Sequence, residues 1–313
     1  MRSVSSKAVW ALAVFVLCGW QSAAVRAATL QDFGPVIHRK DSLYNSIFIH
    51  ENGSVRTLRF GRRSYGPIQS QVDLNDLSKH MLEYSKLTFC GLLYQPQPQR
   101  LLVLGLGGGV IPREMRRCFP QLEIDVVEID RDIPPVAKRF LGFSEDERLR
   151  VHVEDGRTFV RKQHRRDPRP RYDMVVLDAF NGDYIPFHLM TKEFLEEVKG
   201  LLDDDGVVIA NVFFTNRLFD AEFKTFLAVF GRTQAFFGVD STNAMLVAAG
   251  SATPTLTVDE ALKRAQSLQA NLSLAFSLAE VAQRLEPNAA PEPKARVLTD
   301  DLAPVNRLRD MQR

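Results

Sequence analysis

Three successive apolar segments of this chain end in acids. Ile124–Ile129 carries Glu128 near its tip, with Asp130 just beyond it; Leu149–Val153 leads to Asp155; Met174–Leu177 leads to Asp178. In an open α/β sheet, ligands bind beyond the carboxyl ends of the strands, so acids repeated at that place point to one shared site. A single such acid usually caps a helix, and Asp155 alone reads that way. A carboxylate at a strand tip can accept from both hydroxyls of a ribose, which suits Glu128. Asp155 suits the exocyclic amine of adenine. Asp178 would stand nearest the sheet centre, where the reacting end of a ligand belongs. A carboxylate there orients an ammonium group and takes its proton. An alkyl ammonium titrates near pH 10, so its lone pair is blocked at neutral pH until a positioned base eases proton loss.

The segment ahead of these acids supports a nucleotide or nucleoside ligand. Leu101–Leu104 is followed by Gly105, Gly107, Gly108 and Gly109, then by a helical stretch and the strand that carries Glu128. An acid about 20 residues past a glycine turn is the spacing of a nucleotide-binding βαβ unit. The bland alternative is a tight βα connection.

The elements that must position these residues follow from the pattern. Strands are expected at 101–104, 124–129, 149–153, 174–177, 207–212, 233–237 and 244–248. The first five have crossovers between them, as parallel strands require, and the last two are close enough for an antiparallel finish. The fold class is therefore α/β: a doubly wound Rossmann-like sheet of the methyltransferase type with a small N-terminal β-domain. Residues 34–75 are β-like, and Glu51-Asn52-Gly53 between Tyr44–His50 and Val55–Phe60 marks a hairpin. Residues 74–93 read as one helix, 94–99 as a linker and 257–285 as an amphipathic helical tail. The expected organisation is a signal at 1–27, a β-hairpin domain and linker at 28–96, and a nucleoside-binding catalytic domain at 97–313.

The chain has 313 residues, 45% hydrophobic and 25% charged, with a net charge of +2. Residues 1–27 hold three of the 40 basic residues and none of the 38 acidic ones, so the remainder carries −1. That balance gives no case for a nucleic-acid partner. Arg2 and Lys7 before the apolar run Ala8–Trp20, with Val25-Arg26-Ala27 as a cleavage site, read as a secretory signal, so the expected address is the periplasm. After its removal no segment is apolar enough to span a bilayer. Cys90 and Cys118 read as free thiols in apolar helical contexts. The basic run Arg161–Arg171 reads as a solvated crossover loop.

The ordered motifs YNSIFI, LLVLGLGGG, VVEID, Asp155-Gly156, YDMVVLDAF with IPFHLMT, and TDDLAPVN resemble the spermidine synthase (polyamine aminopropyltransferase) family, in its divergent branch with DAF as the aspartate motif. The resemblance runs from about residue 40 to residue 309. It implies decarboxylated S-adenosylmethionine as donor, a small-molecule amine such as putrescine as acceptor, no metal, and a homodimer. It gives Glu128 to ribose, Asp155 and Gly156 to adenine, Gly105, Gly107 and Gly109 to the nucleoside loop, and Asp178 to proton transfer. Asn45 stands for a glutamine that contacts the nucleoside, and Pro186 for the adenine-side proline.

Three positions depart from the family pattern. Gly108 replaces an aspartate that grips the donor ammonium, Asn181 replaces the second aspartate of the catalytic motif, and Tyr84, with Glu83 beside it, replaces an acceptor-binding histidine. Asp183 or the Asp300-Asp301 pair are candidates to compensate, with Tyr84, Asn181 and Asp183 on the acceptor side. His188 is a further candidate to face the site, although a lone histidine reads more readily as structural. Methyl transfer from S-adenosylmethionine and non-catalytic binding of a nucleoside or polyamine are the competing readings.

Overall fold

A computed structural model describes residues 33–61, 66–179, 186–250 and 255–312. The expected signal at 1–27 lies outside them, as do Asn181 and Asp183. Four N-terminal strands form an antiparallel sheet in the order β1–β4: Val36–Asp41, Ser46–Asn52, Val55–Phe60 and Ile68–Asp73. The hairpin is real but shorter in its turn than the sequence suggests. Asn52 pairs with Val55, so Glu51 and Asn52 belong to β2 and only Gly53 and Ser54 make the turn. Gly53 adopts φ +59°, as tight hairpin turns require.

The larger sheet has eight strands. β5 is Arg100–Leu104, β6 Glu123–Glu128, β7 Leu149–Val153, β8 Tyr172–Leu177, β9 Leu202–Phe213, β10 Gln234–Phe237, β11 Asn243–Ala249 and β12 Leu285–Glu286. Their order is β12-β10-β11-β9-β8-β5-β6-β7. The five strands from β5 to β9 are mutually parallel, and β11, β10 and β12 add antiparallel. The chain leaves β5 first toward β6 and β7 and later returns to its other side with β8. The switch point therefore lies between β5 and β8, and a crevice opens there beyond the strand ends.

The apolar strands are buried on both faces, as a covered parallel sheet demands. The period of two divides them. Leu101 and Val103 face one core with Ile124, Val126, Met174 and Ile209. Leu102 and Leu104 face the other with Val127, Val175, Leu177 and Val208. The first core also contains Ile47, Ile49, Leu58 and Val72. The small sheet thus shares its apolar interior with one face of the large one.

The helix expected over 74–93 is much shorter. Only α1, Glu83–Leu87, is α-helical, and Thr88–Leu93 continues as a 3-10 helix. Ahead of it, Asp73 accepts from the Asn75 N–H and Asp76 from the Ser78 N–H. Short polar side chains satisfying nearby backbone in turns defeat a helix there. Four more helices connect the parallel strands or follow them: α2 Val110–Cys118, α3 Ile133–Phe140, α4 Gly156–His164 and α5 Lys192–Lys199. α6 is Arg217–Phe230. The tail expected as one element over 257–285 is α7, Val258–Gln269, and α8, Leu278–Ala282, restarted by the Ser277 cap and followed by β12. Cys90 is buried and Cys118 half-buried, both as free thiols. Among the described residues no helix is long and apolar enough to cross a membrane.

Candidate active site

A cavity of about 420 Å³ lies at the switch point. Its wall brings together Asn45, Tyr84, Gly105, Gly107, Glu128, Asp155, Gly156, Asp178 and Pro186. Six elements or their ends therefore converge on one space.

Gly105 shows how tightly the turn is built. Its φ is +103°, and a Cβ there would stand 2.3 Å from the Asp178 carbonyl oxygen. Only glycine permits the loop after β5 to pass the loop after β8 at that distance. The Asp178 N–H donates to the Leu104 carbonyl at 2.8 Å, extending the β5–β8 ladder into the site. Asp178 is therefore held against the glycine turn by backbone geometry.

Glu128 is buried and bound to the same turn. Its Oε2 accepts from the Leu106 N–H at 3.0 Å and its Oε1 from the Asp130 N–H at 2.9 Å. Burial raises its pKa, while the N–H groups of Asp130, Leu106 and Gly107 pull it back. A carboxylate has about four acceptor positions, so capacity remains for a ligand's hydroxyls. The neighbouring Asp130 receives the Ser42 hydroxyl. Ser42 also accepts from the Asn45 N–H at 3.0 Å, so Asn45 is pinned to the end of β6 through Ser42.

Asp155 is both cap and wall. Its Oδ1 accepts from the Thr158 N–H at 2.8 Å at the start of α4. Its Oδ2 meets His188 Nε2 at 2.8 Å. The His188 contact, with help from Thr158 and against partial burial, holds its pKa at about 2. His188 lines the cavity. A lone histidine gives no sequence signal for this pairing.

Asp178 differs from the other acids. It is half-buried, and Asn211 Nδ2 donates to its Oδ1 at 2.9 Å. Burial raises its pKa to about 7, with Asn211 lowering it and the Glu128 charge raising it. Asn211 is itself oriented, because Asn243 Nδ2 donates to Asn211 Oδ1 at 2.9 Å. Asn243 starts β11, beside the turn that Glu83 clamps by accepting from the Val239 and Asp240 N–H groups. Both asparagines line the cavity. Sequence reasoning missed them, although an asparagine inside the apolar run Val207–Val212 was a usable signal.

Tyr84 is half-buried, near enough to Asp178 for that charge to raise its pKa further after desolvation has done so. Its hydroxyl donates to the Gln69 carbonyl at 2.8 Å. The oxygen is thereby left to accept.

Two expectations are corrected. Gly109 does not line the cavity. At φ +71° it precedes α2, and a Cβ there would meet the Phe143 ring at 2.3 Å, so packing sets its identity. Asp300 does not face the site, because Arg157 Nη1 and Nη2 donate to its carboxylate at 2.7 and 2.8 Å and Thr191 Oγ1 at 2.7 Å. Neither Asp300 nor Asp301 lines the cavity. At Gly108, the N–H donates to Ser70 Oγ at 2.8 Å, and a Cβ would lie 2.6 Å from the Ser70 Cβ. The small sheet therefore occupies the space a side chain at 108 would need. Among the described residues no cluster of three or more His, Cys, Asp or Glu side chains is placed to hold a metal.

A glycine turn at the switch point, an acid at the tip of the next strand and a half-buried acid at the sheet centre define a Rossmann-like protein built to hold a nucleoside-type ligand. Comparison with known proteins narrows that class. The description "Spermine/spermidine synthase domain" matches residues 81–243. A polyamine aminopropyltransferase of Vibrio vulnificus is 34% identical over 278 residues, covering 88% of this chain and 91% of that protein. The chain belongs to the spermine/spermidine synthase family. Among solved structures, a probable spermidine synthase from Corynebacterium glutamicum superposes with a TM-score of 0.65 at 16% identity, covering 87% of this chain and 99% of that one, which supports the fold. Human methyltransferase-like protein 13, solved in complex with SAH, gives 0.57 at 29% identity over 61% of this chain and 92% of that one.

Proposed function

We propose that this protein transfers the aminopropyl group of decarboxylated S-adenosylmethionine to an amine. The observation that carries the reading is Asp178: a half-buried carboxyl that lines the switch-point cavity with Glu128 and accepts from Asn211 Nδ2, its pKa pushed up to about 7 by desolvation. Glu128 holds the ribose, and Asp155 with Gly156 takes the adenine beside Pro186. Asn45 closes over the nucleoside. The acceptor arrives as an ammonium, attracted by Asp178 and by the Tyr84 oxygen. As one of its protons leaves for Asp178, the nitrogen lone pair is freed and attacks the methylene carbon next to the donor sulfonium. A C–N bond forms, the C–S bond breaks, and the sulfur keeps the electron pair in methylthioadenosine. The proton released from nitrogen passes to Asp178 and then to solvent. A base near the working pH serves such a transfer best. Asn181 and Asp183 are assigned to the acceptor side on the family resemblance.

The test is to supply decarboxylated S-adenosylmethionine or S-adenosylmethionine in separate reactions with a panel of amines, and to read the products by mass spectrometry. Methylthioadenosine with an aminopropylated amine, formed only from the decarboxylated donor, is the expected result. S-adenosylhomocysteine from the other donor, or no turnover with either, overturns it. The proposed address is outside the cytoplasm, checked by whether the secreted chain begins at Ala28, and the proposed state is a homodimer, checked by light scattering.

A further inference from the structure

A second cavity, of about 570 Å³, lies between α6 and the C-terminal tail and shares no lining residue with the switch-point cavity. The tail contributes residues 292–298 and a short helix, α9, Val305–Arg309. It is fastened to α6 at three places. The Arg217 N–H donates to the Met311 carbonyl at 2.9 Å, the Glu292 N–H to Asp220 Oδ1 at 3.1 Å and the Leu298 N–H to Thr225 Oγ1 at 2.9 Å. Arg217, Asp220, Glu292, Leu298 and Met311 all line the cavity, so its wall is anchored at each attachment.

Four cations share this wall: Arg217, Lys294, Arg296 and Arg307. They come from α6, the extended tail and α9, so no single helix repeat or basic run accounts for the grouping. All four are exposed, and among the described residues none is held in an ion pair. By contrast, Arg157 is bound by Glu197 and Asp300, and Arg161 by Glu197. Arg217 opens α6, where a positive charge opposes the helix dipole and adds no stability. Two acids, Asp220 and Glu292, also line the space, and Asp220 is buried. Positive charge therefore prevails, four groups against two. Exposed arginines scattered singly need no explanation, but a concave wall with an excess of one sign focuses its field and gathers counter-ions.

The remaining wall is apolar, with Leu298, Leu308 and Met311 among its residues. The volume is that of a small-molecule site, and one inorganic ion would leave most of it empty. A phosphate ester concentrates nearly two negative charges and three acceptor oxygens on one group, so one such group can engage several cations at once. Three of the four cations are arginines, whose planar fork matches phosphate in pairs of hydrogen bonds.

We propose that this cavity is a binding site for a soluble organic phosphate, its phosphate held by Arg217, Lys294, Arg296 and Arg307 and its body laid on the apolar wall. The site is separate from the switch-point cavity and does not rest on the aminopropyl-transfer reading. A ligand there bridges α6 and the tail, so its binding also raises the melting temperature.

The test uses 1-naphthyl phosphate, titrated by its own fluorescence into the full chain at physiological ionic strength, with 1-naphthol and inorganic phosphate as competitors. The ester is expected to bind about tenfold or more tightly than either part alone, the scale of one charge-assisted hydrogen bond. Replacing two of the cations together, Arg296→Ser with Arg307→Ser, should weaken it by about tenfold or more. Arg165→Ser with Arg169→Ser removes the same charge from the basic loop and should leave the affinity unchanged. The proposal is overturned if the wild type does not bind the ester, if 1-naphthol or inorganic phosphate binds as tightly, or if both double variants lose affinity equally. It is also overturned if the protein ignores the ester but sediments with phosphatidic acid vesicles, which would make the patch a membrane contact. If the first double variant melts early without ligand, Lys294→Gln, at an exposed position of the extended tail, is read the same way.

Discussion

The two ends of the cavity treat their carboxyls in opposite ways. At the nucleoside end, Glu128 and Asp155 are tied to backbone N–H groups, and Asp155 also to His188. At the proposed reacting end, Asp178 is half-buried against the Asn211 amide. The first arrangement fixes geometry before any ligand arrives. The second keeps a carboxyl poorly solvated, which holds its proton near neutral pH and leaves it ready to meet a cation. A binding end is built by satisfying its acids, and a reacting end by leaving one short of partners.

The sharpest test of this contrast is Asp178→Asn. Loss of the base is expected to lower kcat by about 10³-fold, within the range for general-base removal, with methylthioadenosine affinity nearly unchanged by calorimetry. The same variant should be more stable than the wild type at pH 8. The folded-state pKa of Asp178 is raised from 3.8 to about 7. The folded protein thus binds this proton more tightly than the unfolded chain does. Stability falls as pH rises between those values and stays reduced above them, by about 4 kcal/mol at roughly 1.4 kcal/mol per unit. Thermal unfolding at pH 5 and pH 8 reads the difference, and a variant that gains nothing at pH 8 breaks the comparison.

Glu128→Gln should do the reverse. It weakens methylthioadenosine binding by about 10- to 100-fold, the scale of a charged hydrogen bond, and lowers the melting temperature because the Leu106 and Asp130 N–H groups lose their anionic acceptor. An effect on kcat larger than that on affinity would show that the two ends are not separable.

The smallest effect is expected from Asn243→Ala, measured as a pH–rate profile. Without Asn243, Asn211 loses the bond that aims its Nδ2 at Asp178. The Asn211 contact lowers the Asp178 pKa, so the acidic limb of kcat/KM should move to higher pH, with a kcat loss of about tenfold or less. An unmoved limb would mean that Asn243 is only a wall.

Much of the nucleoside end was legible in the sequence because it is local. A strand, a glycine turn and an acid at the next strand tip all fall between Leu101 and Asp130. β5, β8 and β9 announced themselves through apolar runs, and β6 and β7 through apolar residues mixed with polar ones. The reacting end was less legible because it is assembled from distant segments. Asn211 and Asn243 come from β9 and β11, and Ser70 from the small sheet, and no spacing rule links them to Asp178. Val36–Asp41 was legible only as part of a β-like stretch and not as a strand of its own, because an edge strand exposed along nearly its whole length shows no alternation. The short α1 was misread as longer because aspartates at 73 and 76 act through their side chains, which periodicity does not register. Gly108 was seen as a missing acid, but the structure adds that Ser70 fills the room the acid would need.

The glycine turn carries one more consequence. Several of its amides are spent within the protein: Leu106 on Glu128, Gly108 on Ser70, Gly109 on the Leu106 carbonyl. Turns of this kind hold diphosphates elsewhere by offering such amides to the anion. Here the Leu106 and Gly108 amides are already taken by side chains, and a carboxylate stands in the anion's place. Such a turn offers a diphosphate few free amides, which agrees with the cationic nucleoside proposed as donor.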